Sequence, residues 1–231
     1  MGEKLKLKKI KPIRIAIDAT AGSGSTSLSL RLARHYKLRY LDTGKVYRWC
    51  AFQIIQKKPK NKIKFLRKKI KNLNLKKLQD KKLIDDKVAQ LTSQIAKNPK
   101  IRKLVYNFQK NIAYNIPKKF NGSILNGRDI TYKIIPDANF KFYVTASIFE
   151  RSKRRTAELK KLGKNATFEE VVKSLKKRDN SDKNRRYSPL RFGRDSLLIN
   201  TTRLSITGCF LKVRKIIDRK LNNYGNNFKT R

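Results

Sequence analysis

Five short stretches of the chain hold residue types able to act on phosphate or nucleotide groups. The first, Ile15-Ala-Ile-Asp-Ala-Thr-Ala-Gly-Ser-Gly-Ser-Thr26, reads as an apolar strand entering a turn of small residues and then a helix. Backbone N–H groups of such a turn and the positive end of the helix dipole converge on phosphate oxygens. The phosphate-loop pattern G-x-x-x-x-G-K-[ST] is met only in part. Gly24 and Thr26 stand at its second glycine and its hydroxyl, whereas Ala19 replaces the first glycine and Ser25 the lysine. A Gly-Ser turn between strand and helix also occurs without any ligand, so this stretch alone leaves both readings open.

The second stretch, Tyr40-Leu-Asp-Thr-Gly-Lys-Val-Tyr-Arg48, brings Thr43 and Arg48 to the end of another expected strand. The third, Asn126-Gly-Arg-Asp129, falls at a carboxyl strand end, where open parallel sheets take ligands, although an Arg-Asp pair there also serves as a plain salt bridge. In the fourth, Lys177-Arg-Asp-Asn-Ser-Asp-Lys-Asn-Arg185, a helix carried through would gather Arg178, Asp182 and Arg185 within roughly 60° of one another. In the fifth, Glu150-Arg-Ser-Lys-Arg-Arg155, Arg151, Arg154 and Arg155 cluster cations suited to a polyphosphate. Solvated charge runs would look the same in both cases. His35, the single histidine, has no acid or nucleophile pattern around it and reads as a polar surface or capping residue.

Positioning these groups requires an alternating framework. Ile13, Ile15 and Ile17 predict a buried strand, and Leu28, Leu32 and Ala33 a helix after it. Further short apolar runs at Ser123 to Asn126, Phe140 to Val144 and Leu197 to Asn200, separated by helix-like stretches, predict an α/β protein: a parallel sheet with helices on both faces. The Lys-rich stretch from Pro59 to Leu83, with Ile63, Leu66, Ile70 and Leu73 near helical spacing, reads as an amphipathic insertion outside the sheet. Thr167 and Glu170 form a capping box opening a helix towards Asp179, with Phe168, Val171, Val172 and Leu175 on its apolar face. A last helix is expected from about Ser205 to Leu221, burying Phe210, Val213, Ile217 and Leu221, with a loose tail beyond Asn222.

Composition narrows the partners. The 231 residues hold 60 Lys and Arg against 16 Asp and Glu, a formal charge of +44 that calls for anions. A hydrophobic fraction of 39% with 11 Phe and 9 Tyr is too apolar for wholesale disorder. Lysine is scattered over nearly every segment instead of forming one stripe, which weakens a dedicated nucleic-acid reading; a drift towards Lys and Asn gives the same picture. Cys50 and Cys209 lie far apart without C-x-x-C spacing, which argues against a metal knuckle or disulfide framework and suits a reducing cytoplasm. Neither an export leader nor a membrane span is expected.

In their order, six segments resemble the bacterial cytidylate kinases, nucleoside monophosphate kinases of the P-loop NTPase fold. They are IAIDATAGSGSTSLS, LDTGKVYR, SQIAKNPKIR, NGRDITYKIIPDA, ERSKRRTAELKKLG and KKRDNSDKNRRYSPL, and the match spans nearly the whole chain. SQIAKNPKIR and RDNSDKNR separate the cytidylate branch from adenylate and thymidylate kinases. The resemblance implies a core over about 10–48, 104–150 and 186–222, an acceptor-binding insertion over 49–103 and a lid over 151–185. It implies that Ala21, Gly22, Ser23, Gly24, Ser25 and Thr26 cradle the ATP phosphates, with Thr26 on Mg²⁺. Thr43 would line the acceptor site, Ser93, Arg102 and Asp129 would read the cytosine edge, and Arg178 and Asp182 would hold the ribose. Arg48, Arg128 and Arg185 would clamp the acceptor phosphate, and Arg151, Arg154 and Arg155 would serve the lid. The implied substrates are ATP and CMP or dCMP, in a monomer without a specific nucleic-acid partner or membrane attachment.

The departures from that family concentrate on the donor side, although the insertion after Arg48 is also shorter than usual for it, which implies a different closure of the acceptor part. Ser25 takes the place of the loop lysine, Ala19 is expected to narrow the backbone freedom of the turn, and Asn126 stands where the family usually has Asp, which would weaken Mg²⁺ organisation. Removing one fixed charge from such a site typically costs about 10² to 10³ in rate. The alternatives are therefore an impaired descendant that still binds CMP or has turned its cationic surface to RNA, and a kinase of altered acceptor such as UMP. Lys45 or a lid arginine would have to supply the missing cation.

Overall fold

Alternating isoleucines build β1 (Ile13–Ala19), the central strand of a five-stranded sheet in a computed structural model that describes residues 12–223. The others are β2 (Leu38–Asp42), β3 (Gly122–Gly127), β4 (Phe140–Thr145) and β5 (Leu197–Asn200), in the order β2-β3-β1-β4-β5. Every pairing is parallel, and Ile17 stands opposite both Asn126 and Phe142. All five carboxyl ends therefore meet at one edge.

The two faces of β1 are covered by different helices because its side chains alternate in direction. Ile13, Ile15 and Ile17 pack with Phe142 and Val144 against Leu28 and Leu32 of α1 (Ser25–His35) and, from the C-terminal end of the chain, Val213 and Ile217. Ala16, with Leu41 and Leu125, faces Val46, Cys50 and Ile54 of α2 (Thr43–Lys57). Both cysteines are free and buried. His35, at the end of α1, packs its ring against Tyr36 and Phe210 and takes no part in a polar cluster.

The Lys-rich insertion does stand outside the sheet, but it is not one continuous helix. α3 (Lys62–Lys71) supplies Leu66 and Ile70 to the α2 core, then two short 3-10 turns (Lys76–Gln79 and Lys81–Ile84) bring in Leu78 and Leu83. Asn74 breaks the pattern by accepting from the Lys77 N–H, starting a new turn after Leu73. α4 (Asp86–Ile95) and α5 (Pro99–Tyr114) follow, α5 opened by Asn98, whose side chain caps Lys100 and Ile101, with proline in its first turn. α2 is continuous through Arg48 and α5 through Lys103, so these helices carry the insertion directly on the core.

α6 (Ile148–Lys161) and α7 (Phe168–Asn184) pack together, with Val171 and Leu175 closing on Ala21. The expected capping box opens α7: Thr167 Oγ1 accepts from Glu170 N at 3.2 Å and Glu170 accepts from Thr167 N at 2.9 Å. α7 runs well past Asp179, and its extended cap is Arg185. α8 (Ile206–Asn223) buries Cys209, Val213, Ile217 and Leu221, while Phe210 is only half-buried because the helix turns Cys209 inward instead. The tail past residue 223 lies outside the described residues.

T167A removes the acceptor of the capping box without touching the core. It should lower the free energy of unfolding by about 1 kcal/mol, seen as a lower urea midpoint at an unchanged m-value.

Candidate active site

The carboxyl edge of the sheet gathers Ala19, Asp42, Gly127, Thr145 and Asn200, and the connections leaving these strands form the site. After β1, Gly22 and Gly24 take φ of 74° and 84°, a left-handed backbone that side-chain-bearing residues rarely adopt. Gly24 caps α1 without a side-chain acceptor, and no acidic residue occupies the first turn, so the first helical N–H groups face outward unanswered by the protein. Ala19 departs from the pattern harmlessly: it ends β1 with negative φ, and the expected loss of backbone freedom does not arise.

Ser25 is buried at the start of α1 and brings no charge. Thr26 is exposed, and its hydroxyl accepts from Asn126 Nδ2 at 3.3 Å. Asn126 Oδ1, near the end of β3, and Ser23 Oγ, in the turn after β1, are both buried without a partner. Lys45 does not stand in for the absent lysine, because its ammonium donates to Gln79 of the insertion.

Arg151, Arg154 and Arg155, expected to cluster as one cationic group, separate in space. Arg151 is buried, donating to the carbonyls of Ala21 and Ala146 and to Asp179 at 2.6 Å. It therefore braces the phosphate turn from behind and does not join a cationic face, correcting the expectation. Asp179 completes the brace by accepting from Ala21 N at 3.2 Å. Arg155 pairs with Glu158 on the surface at 2.7 Å. Arg154 donates to the side chain and carbonyl of Thr201, and its Nη1 would lie 3.9 Å from a Cβ placed on Gly24. Thr201 in turn donates to the Ser23 carbonyl at 2.9 Å, so Arg154 is indexed to the turn.

Across the edge lies a cavity of about 340 Å³ lined by Tyr47, Arg102, Tyr106, Asp129 and Tyr187, among others. Arg102 and Asp129 meet in its wall at 2.5 Å, both buried, with the guanidinium carbon 5.5 Å from the Tyr47 ring centroid. Burial opposes the charge on Arg102, but Tyr47 and Asp129 outweigh it and hold the guanidinium more firmly protonated than usual. Ser93 is not brought to this pocket: it is exposed on α4, and its hydroxyl donates back to Ala89.

Beside the pocket, Asp182 bridges two cations, Arg128 at 2.8 Å and Arg185 at 3.4 Å. Burial raises its pKa, yet Arg128, Arg178 and Arg185 together hold the carboxyl below its ordinary range. Arg178, one helical turn before Asp182, keeps contact with solvent, while the protein packed around it and the neighbouring Arg128 push its guanidinium down to about 10. Arg185 Nη2 is buried without a partner. Arg48 donates to the Leu83 carbonyl, and Thr43 donates to the Asn126 carbonyl at 2.9 Å. The arrangement holds four guanidinium groups, those of Arg48, Arg128, Arg178 and Arg185, near one carboxylate, Asp182.

One residue with a central place here was not picked out from the sequence. Asp18, fully buried in β1, accepts from Ile130 N at 2.7 Å, Thr131 N at 3.0 Å and Thr131 Oγ1 at 2.6 Å. It pins a wide helical turn, Ile130–Ile134, directly after Asp129. The signal was a carboxylate inside the apolar run Ile-Ala-Ile-Asp-Ala, where only a cluster of donors would make it tolerable. Asp179 had a similar signal, continuing the buried stripe of Val171 and Leu175.

A strand, a glycine turn on a helix N-terminus, a helical insertion and a helix pair bearing arginines define the architecture of a P-loop nucleoside monophosphate kinase. The description Cytidylate kinase belongs to a family whose profile matches residues 15–219. A relative from Bartonella tribocorum named cytidylate kinase is 37% identical over 214 residues, 90% of this chain and 96% of the relative. Another so named, from Mesorhizobium japonicum, is 36% identical over 205 residues, 88% and 93% of the two chains. The chain belongs to the cytidylate kinase family. A solved structure of an uncharacterized protein from Eubacterium ventriosum is similar in fold, with TM-score 0.52 and 17% identity over 89% of this chain and 98% of that one. Among the described residues no helix is long and apolar enough to cross a membrane.

Desolvation raises the Asp18 pKa to about 6, against 3.8 for the ordinary carboxyl, the donors from Thr131 and Ile130 offsetting only part of it. The folded state therefore holds this proton more tightly than the unfolded one, so the contribution is fully present below pH 3.8 and is lost as pH rises through about 6. The loss amounts to roughly 3 kcal/mol. Urea unfolding of wild type and D18N across this window should show the wild-type stability falling relative to the variant; parallel profiles would contradict the assignment.

Proposed function

We propose that the chain transfers the γ-phosphoryl group of ATP to CMP or dCMP. The observation that carries this reading is the buried Arg102–Asp129 pair in the wall of a nucleotide-sized pocket, next to the cations around Asp182. A carboxylate accepts from the exocyclic amine of cytosine, and a guanidinium donates to the ring nitrogen and carbonyl. Uracil offers a carbonyl where cytosine offers that amine, which would set an acceptor against Asp129 and leave it unpaired. In this reading Arg178 and Asp182 hold the ribose, and Arg128, Arg185 and Arg48 clamp the acceptor phosphate. Thr43 fixes the strand end beneath them through the Asn126 carbonyl. Ser93 enters only through movement of α4.

ATP phosphates fit over Ala21–Thr26, against the open N–H groups of α1. For Mg²⁺ the chemistry of the donors fits: the exposed Thr26 hydroxyl and the unpartnered Asn126 Oδ1 are neutral oxygens, suited to a hydrated cation already held by phosphates. When bound it neutralises charge on the β- and γ-oxygens. Asn126 contributes orientation without the charge of an aspartate. An acceptor phosphate oxygen forms its bond to the γ-phosphorus as the bond to the β–γ bridging oxygen breaks, and the chain's work is to align the two and exclude water. Arg154 is the lid arginine set to meet the developing charge, and Ser25 leaves it without the usual lysine. The setting is a cytoplasmic monomer.

An ADP-release assay with CMP, dCMP, UMP and AMP should give turnover with the first two. Absence of CMP-dependent turnover at every enzyme concentration would remove the catalytic reading, and calorimetry with CMP would separately test the pocket. S25K should raise kcat at least tenfold with CMP affinity unchanged. An unchanged rate would mean that a cation such as Arg154 already fills the role.

A further inference from the structure

A second cavity, of about 1150 Å³, opens between α3 and α5. One bank carries Lys64, Arg67 and Lys71 of α3, spaced three and four residues apart and thus about 4.5 and 6 Å along the helix axis. The opposite bank carries Lys100 and Lys103 of α5. All five are exposed, none of them forms an ion pair among the described residues, and no Asp or Glu lines the groove. The floor is apolar: Ile70, Leu104, Phe108 and Ile112. Lys103 and Asn107 line this groove and the acceptor pocket alike, so the two cavities adjoin.

We propose that the α3–α5 groove binds single-stranded nucleic acid without sequence preference. The ligand must match two features together, regularly spaced anions for the banks and flat apolar faces for the floor, and a single strand carries both. A membrane surface is planar and would bridge the banks without reaching Phe108. An acidic polypeptide supplies the anions but no stacking face. The site is separate from the phosphoryl-transfer residues, and the proposal stands whether or not the kinase reading does.

The test uses the full chain and a fluorescent oligouridylate of about twelve nucleotides, a length within the range of known single-strand sites, followed by anisotropy over a range of salt. K64E/R67E/K71E should bind at least tenfold more weakly and lower the slope of log affinity against log salt by about two. K212E/K215E/R219E, on the exposed side of α8 and with the same change in formal charge, should lose less than threefold. Equal losses would overturn the proposal and assign the binding to diffuse charge. F108L should weaken the oligonucleotide while leaving inorganic polyphosphate unchanged; parallel loss of both would overturn the stacking floor. Tighter binding of poly-glutamate or of phosphatidylserine vesicles than of the oligonucleotide would overturn it in favour of those partners. Thermal melting of each variant checks folding, and CMP turnover of the α3 variant should match wild type.

Discussion

The site depends on one buried carboxylate. Asp18 sits in the central strand with no exposure to water, and a charge in that position is tolerable only where donors replace its hydration. Three donors, all from Ile130 and Thr131, converge on it. The consequence is geometric. Asp129 immediately precedes these residues, and the turn holding Gly22 and Gly24 begins just after Asp18 along the same strand, so one side chain sets the separation between the Arg102–Asp129 pocket and that turn. Parallel register alone would bring β1 and β3 side by side without fixing where the chain leaves β3.

A second clamp positions the helix pair by similar means. Asp179 takes Ala21 N and Arg151, while Arg151 also holds the Ala21 carbonyl, so the turn is gripped at both its N–H and its C=O. Breaking one partner of such a buried pair commonly costs 3–5 kcal/mol, far more than a surface pair, and the grip is correspondingly rigid. α7 then presents Arg178 and Asp182 on the turn of helix next to the clamp. In phosphoryl transfer positioning accounts for most of the catalysis, so on the proposed reading rigid placement of these side chains would be the chemistry the protein supplies.

Much of this was legible in the residues and some was not, for identifiable reasons. β1 and β3 to β5 follow from short apolar runs, and the start of α7 follows from Thr167 and Glu170, since both signals are local. The length of α7 was left open because Asp179 to Asn184 carries no apolar stripe; the helix does carry through, and Asp179 within it pairs with Arg151. For the same reason Arg151 looked like its neighbours Arg154 and Arg155: spacing places three cations on a helix but does not reveal that a carboxylate from another helix turns one of them inward. Ala19 looked like a lesion because the motif asks for glycine there, yet the strand persists through it and nothing in the turn needs its freedom. Ser93 was assigned by resemblance, and its place depends on how far α4 stands from the pocket, which a local motif does not encode.

The large positive charge and the missing lysine act on different scales and do not offset one another. A charge of +44 raises the concentration of anions near the surface, but such a field is screened over about 8 Å at physiological salt and is nearly uniform across a few ångströms. Transition-state stabilisation needs a charge that interacts more strongly with the γ-phosphoryl group in flight than at rest, which a uniform field does not provide. On the proposed reading Arg154 would provide it, since Thr201 holds its guanidinium against Gly24 and the same threonine is bonded to Ser23. Its hydrogen bonds to Thr201 limit its reach, however, so on the proposed reading a fixed planar fork would stand in for a mobile ammonium. The cluster around Asp182 shows the reverse situation, with that carboxylate holding Arg128 and Arg185 in place. On the proposed reading, the guanidinium cluster around Asp182 would receive the acceptor phosphate ready-made while the turn opposite holds one fixed cation fewer, so phosphoryl transfer would be limited on the ATP side.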